Sequence, residues 1–137
     1  MSNYLKNNPN FILYLITFSM IGMLFIVIIS LVNKKYYAMV VDLYIKKYNR
    51  LPIMAGLAKE ASLILTSGSY HAKVGFIMDS LILPYNKFSN HDMTIEQYNY
   101  INSLPMKLTI GFRIEGFLWI ISIPPMLIGF ILHALFE

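Results

Sequence analysis

The sequence predicts an all-α integral membrane protein with two transmembrane helices and a helical insert between them at the cytoplasmic membrane surface. Three observations predict it. Two long apolar stretches carry no charged residue, one from Phe11 to Val32 and one from Gly116 to Phe136. Only 13% of the 137 residues are charged and 57% are hydrophobic, where soluble domains average about 25% charged. The stretch between the apolar runs is basic, polar in patches and punctuated by proline. At this length one compact membrane domain is expected, with spans at 11–32 and 108–136 and the insert at 33–107.

Phe11–Val32 reads FILYLITFSMIGMLFIVIISLV. As a helix it covers about 33 Å, enough for a hydrocarbon core of about 30 Å. Its β-branched residues do not argue for a strand, because in lipid each backbone group must be satisfied within its own segment. A cleaved signal peptide would have a shorter apolar core, a more basic start and a small-residue cleavage site. Here a lone Lys6 precedes the run and Lys34-Lys35 follow it, which favours a retained anchor. Gly22 and Gly129 lack a small-x-x-x-small partner, apart from the mixed neighbourhood of Ser19 and Met23, so no dimerisation face is indicated.

The insert begins helically, with Tyr37, Val40, Val41 and Tyr44 at spacings of three and four. Lys46, Lys47 and Arg50 gather near the end of that pattern, where cations suit a helix C-terminus. Tyr36, Tyr37, Tyr44 and Tyr48 interleave with the lysines. They suit either a headgroup-level helix that continues the first span or a tyrosine-lined packing face on a solvated one. Pro52 breaks the pattern. Ile53–Leu65 then reads as a short apolar helix, stopped by a turn at Thr66-Ser67-Gly68-Ser69. Tyr70–Leu83 is a further helix, closed by Pro84. Thr94-x-x-Gln97 is a capping box, starting a helix that runs to about Leu104 before Pro105 interrupts. Apolar positions such as Ile53, Leu57, Ile64, Leu65, Ile77 and Leu81 are too many for a solvated loop, so they must pack together, on lipid or on a partner.

In the second run, Trp119 sits where an interfacial aromatic belongs, and His133 lies near the opposite interface. Pro124 and Pro125 remove two backbone donors near its middle, so a kink or local break is expected there. Arg113 and Glu115 stand where the run begins. Charges there must pair or snorkel, and positions i and i+2 do not face each other on a helix, so each seeks a different neighbour. Arg113 is expected to reach lipid phosphates, with a charge pair to a partner helix as the alternative.

Orientation follows from the cations. Of eleven Lys and Arg residues, Lys6 precedes the first span, ten lie between Lys34 and Arg113, and none follows the second. The positive-inside rule then places the middle segment in the cytoplasm and both termini outside. The net charge of +4 and pI near 9.3 find their explanation here, since no basic face or RNA-binding motif points to nucleic acid. The absence of cysteine excludes disulfides, thiolate catalysis and sulfur-ligated zinc.

Acid–base or metal chemistry would have to come from His71, Asp79, His91, Asp92 and Glu96. His91 and Asp92 are adjacent and diverge, and Asp92 and Glu96 lie across a helix start that favours carboxylates anyway. Ser67 and Ser69 near His71 read as a serine-rich turn. No spacing assembles a metal site, so no catalytic, cofactor-binding or metal-ligating residue is assigned.

Leu65-Thr66-Ser67, Lys73-Val74, the apolar run ending near Tyr85, the acidic Asp92 and Glu96, and Arg113 before the last span together resemble the bacterial universal stress protein B family. The resemblance covers roughly the last seventy residues and the two-span layout. This chain is longer, lacks a dense arginine run before the last span, and carries Pro124-Pro125. The resemblance implies a general-stress protein of the cell inner membrane with no assigned reaction and no catalytic residues to transfer. The expected function is therefore non-enzymatic, through association with membrane lipids or a membrane-protein partner. The alternatives are a small homo-oligomeric channel or transporter subunit and an accessory subunit of a larger membrane complex. The lack of an acidic residue at mid-depth in either span counts against ion transport.

Overall fold

The computed structural model describes residues 10–136, and every regular element among them is helical: α1 Asn10–Tyr48, α2 Ile53–Leu57, α3 Ser67–Ile82, α4 Ile95–Ser103 and α5 Met106–Phe136. Helices α1 and α5 are each long and apolar enough to cross a membrane. Lys6, which enters the charge count, lies outside the described residues. The chain divides into two compact units, one holding the start of α1 up to Ile26 with α5 from Phe117 onward, the other Val27–Gly116.

In the first unit the two helices meet along small residues. A Cβ on Gly22 would collide with the Ser122 side chain, and one on Gly129 would press on Ile16 at 2.9 Å. Ser19 is fully buried and returns its hydroxyl to the Leu15 carbonyl at 2.9 Å. The glycines that show no dimerisation pattern in the sequence thus serve close approach of two helices of the same chain. Helix α5 runs unbroken through Pro124 and Pro125, so the expected local break is absent. The two prolines still withhold partners from the Ile120 and Ile121 carbonyls, one turn back.

The second unit is a folded headpiece. Helix α1 continues past its apolar run and stops after Tyr48, where Asn49 takes a left-handed φ of 60° and its N–H closes on the Ile45 carbonyl at 2.7 Å. Asparagine tolerates that conformation, and Pro52 prevents resumption. The fully buried Tyr44 packs edge-on against Phe76 at 5.4 Å and beside Tyr48 at 5.0 Å, while Tyr48 meets Tyr100 at 5.6 Å. Helix α1 continues the first apolar run without a break, as one reading of these tyrosines expected, and Tyr44 and Tyr48 form the packing face that the other expected. Val74, Ile77, Met78 and Ile101 complete the core, each side chain contributing about 1.5–3 kcal/mol by burial.

Two expected boundaries move. Helix α2 ends at Leu57 instead of Leu65, because Ser62 and Thr66 bond to local backbone: the Thr66 hydroxyl accepts from Ser62 N–H at 2.7 Å and donates to its carbonyl at 3.2 Å. Such bonds offer the chain an alternative to the helical ladder. Ser67-Gly68-Ser69 is the first turn of α3 and not a turn before it, with Thr66 as N-cap. The Thr94–Gln97 capping box forms as expected, with Thr94 N–H on Gln97 Oε1 at 2.7 Å. The end of α3 is satisfied from outside itself: Asn102 Nδ2 donates to the Ser80 carbonyl at 2.7 Å, Arg113 to that of Leu81 at 3.1 Å and the Tyr98 hydroxyl to that of Leu83 at 3.0 Å. Arg113 therefore caps a helix C-terminus, where a cation is favoured.

Candidate functional site

Asn33 ends the apolar run of α1 and Glu115 precedes that of α5, and the headpiece brings the two together. Asn33 Nδ2 donates to Glu115 Oε2 at 2.6 Å, and the Tyr70 hydroxyl of α3 donates to Glu115 Oε1 at 2.8 Å. Glu115 is fully buried, Asn33 1% exposed and Tyr70 6% exposed. Both donors are neutral, so the side chain meets its desolvation cost of several kcal/mol mainly through hydrogen bonds and not through an adjacent cation. Gly111, one turn before Glu115, makes the arrangement fit: a Cβ there would overlap Asn33 Oδ1, which has no conventional partner and lies against the glycine backbone. Burial first and the facing carboxylate second push the Tyr70 hydroxyl pKa well up, so it remains a donor throughout the physiological range.

Beside this clamp lies a cavity of about 120 Å³, lined among others by Ser30, Lys34, Tyr37, Leu63, Lys73 and Phe112. Lys73 Nζ donates to the Ala61 carbonyl at 2.8 Å and stands 4.8 Å above the Tyr37 ring. Burial holds its pKa below the ordinary lysine value, against the opposing pull of Glu60. The Tyr37 hydroxyl is buried without a hydrogen-bond partner.

The titratable residues singled out in the sequence gather elsewhere. His71, Asp79, His91 and Asp92 line a wider cleft of about 510 Å³ with Phe76 and Phe88. His71 Nε2 lies 3.6 Å from Asp79 Oδ2, two turns along α3, and the carboxylate raises the imidazole pKa. Asp92 Oδ2 accepts the Met54 N–H at 3.1 Å, so it serves the start of α2. Glu96 stands in the first turn of α4, and the Tyr48 hydroxyl reaches it at 3.4 Å. Ser69 is exposed, and the side chain that His71 Nε2 faces is Asp79. Among the described residues no three acidic, histidine or cysteine side chains converge as a metal site would require. Asn33, Tyr70 and Gly111 escaped the sequence reading. The only signal for Asn33 was its place as the first polar residue after the apolar run, while nothing local marks Tyr70 or Gly111.

No family model, curated protein or solved structure matches this chain.

Proposed function

We propose that the chain is a non-enzymatic two-pass protein of a bacterial inner membrane, serving the general stress response by presenting a folded cytoplasmic headpiece to membrane lipid or a partner protein. One observation carries this reading. In the most apolar stretch of each long helix only 17% is buried within the protein, whereas the core helix of a soluble protein is mostly buried. Large side chains such as Leu13, Phe18, Leu24, Phe117, Leu127 and Phe130 stand exposed along both helices. An apolar surface of that extent suits a lipid surrounding. The ten cations between Lys34 and Arg113 support the cytoplasmic side for the headpiece. The resemblance to the universal stress protein B family supports the physiological setting.

Reporter fusions near residue 70 and at residue 137 test the topology. The expected result is a cytoplasm-active reporter at the first position and an externally active one at the second. A cytoplasm-active C-terminal fusion would overturn the orientation.

A further inference from the structure

Ser30 and Leu31 belong to the last turn of the charge-free run of α1, and Lys34 is the first cation after it. The same cavity that these three residues line is walled by Ala61, Ser62 and Leu63. The chain has therefore climbed away along α1 to Tyr48 and returned, so that residues 61–63 lie level with residues 30–34. On the two-pass reading, that level is the cytoplasmic edge of the bilayer, and this inference rests on that reading. The returning turn carries Ile64 and Leu65 at 65% and 84% exposure. Two large apolar side chains projecting from a turn at this height match the headgroup–acyl boundary, where interfacial segments bury their apolar face.

We propose that the cavity binds the phosphate group of an anionic phospholipid, with Lys34 and Lys73 as its cationic ligands and the Tyr37 hydroxyl as a neutral donor. Its volume of about 120 Å³ is far below the ~300 Å³ or more of a typical metabolite pocket. It suits a compact oxyanion whose attached chains remain outside. Lys73 commits one of its three N–H donors to Ala61 and keeps others for a ligand. The buried, unpartnered Tyr37 hydroxyl gains an acceptor when an oxyanion enters. Leu31, Leu63, Val74 and Phe112 supply apolar wall for the glycerol and first methylenes. Of the nearest carboxylates, Glu115 is turned to Asn33 and Tyr70, and Glu60, which attracts Lys73, is exposed to solvent, so water screens it and it offsets the two ammonium groups only in part. The exposed Ile64 and Leu65 follow directly on the lining residues 61–63 and anchor that turn in lipid.

The test uses the full-length protein in nanodiscs of phosphatidylcholine, with and without phosphatidylglycerol, and counts lipid retained by mass spectrometry after release. The expected result is preferential retention of phosphatidylglycerol. Lys34→Gln and Lys73→Gln should each weaken it by a factor of about five, and the pair by about thirty, the effect of cations beside an anionic surface. The exposed pair Lys46→Gln/Lys47→Gln should leave it unchanged. Lys34→Arg/Lys73→Arg should largely restore it, which separates loss of charge from loss of fold. Equal losses in the two glutamine pairs would mean diffuse surface charge and would overturn the site. Inorganic phosphate that binds in phosphatidylcholine nanodiscs and displaces phosphatidylglycerol would overturn the lipid as its source. A chain that fails to enter nanodiscs defeats the membrane reading itself. One that enters but holds phosphatidylglycerol no better than phosphatidylcholine defeats only this inference.

Discussion

Two acidic side chains of the headpiece meet different fates. Glu115 is sealed from solvent and held by two neutral donors from α1 and α3, while Asp79 faces His71 across a cleft where 58% of the imidazole remains exposed. The His71–Asp79 pair has the opposite charges, yet water competes for both partners, and exposed pairs of this kind contribute about 0–1 kcal/mol. Glu115 lacks a formal counter-charge, yet each of its bonds counts for more, because Asn33 and Tyr70 are buried away from the water that would replace it. Burial and satisfaction, more than charge, decide which cluster holds the headpiece together.

The largest expected effect follows from removing the buried carboxylate. Glu115→Ala removes the acceptor of both Asn33 Nδ2 and the Tyr70 hydroxyl, at about 1–3 kcal/mol per buried group, so a loss of about 2–6 kcal/mol is expected, toward the lower end if Ser30 takes over the Tyr70 hydroxyl. Thermal or denaturant unfolding in detergent measures it. Glu115→Gln should lose less, since its amide carbonyl keeps one bond. An alanine variant as stable as the parent would break the comparison outright.

Gly111→Val tests the same clamp sterically. Its side chain must displace Asn33, which overpacks the junction by about 1–3 kcal/mol. Pairing it with Asn33→Gly sharpens the comparison. The double variant should be less unstable than the sum of the singles, and strict additivity would place the strain elsewhere. Tyr70→Phe should cost about 1–3 kcal/mol, by withdrawing one of the two donors to Glu115 while preserving the ring.

The smallest effect belongs to His71. Its pKa is raised in the folded chain, so the folded state holds the proton more tightly than the unfolded one. The pair's contribution is complete below the ordinary histidine value of 6.5 and disappears as pH rises through the raised folded value. His71→Gln should remove that pH dependence and cost less than about 0.5 kcal/mol at acid pH, given the exposure. Unfolding midpoints compared between parent and variant from acid to alkaline pH check it. A larger loss, or a stability that rises with pH through that window, would place His71 in the same class as Glu115.

The capping box at Thr94 and Gln97 was legible because its two bonds join residues three apart, and the end of α1 was legible because Pro52 and the basic last turn are local signals. The limits of α2 and α3 were not. Ile53–Leu65 is apolar enough for a helix, but Ser62 and Thr66 divert the backbone through bonds whose competition with the ladder depends on the surrounding packing. Of the kink or local break expected at Pro124-Pro125, the break does not occur, because a missing donor weakens a helix without dictating that neighbouring turns give way. Arg113 was read as lipid-facing from its position beside an apolar run. The acceptor it takes, the Leu81 carbonyl, lies on another helix.

By itself the sequence determined what depends on composition and short range: an all-helical chain, two runs long and apolar enough to cross a bilayer, and a concentration of cations between them. Hydropathy and helical length require no knowledge of neighbours, so these properties are visible residue by residue. Only the tertiary structure decided that Asn33, Tyr70 and Glu115 share one buried site, that Gly22 and Gly111 admit close-packed side chains, and that residues 61–63 return to the level of residues 30–34. Those relations join positions far apart in the chain. The free energy of a buried polar group depends on which distant partner reaches it, and that is settled when the helices pack.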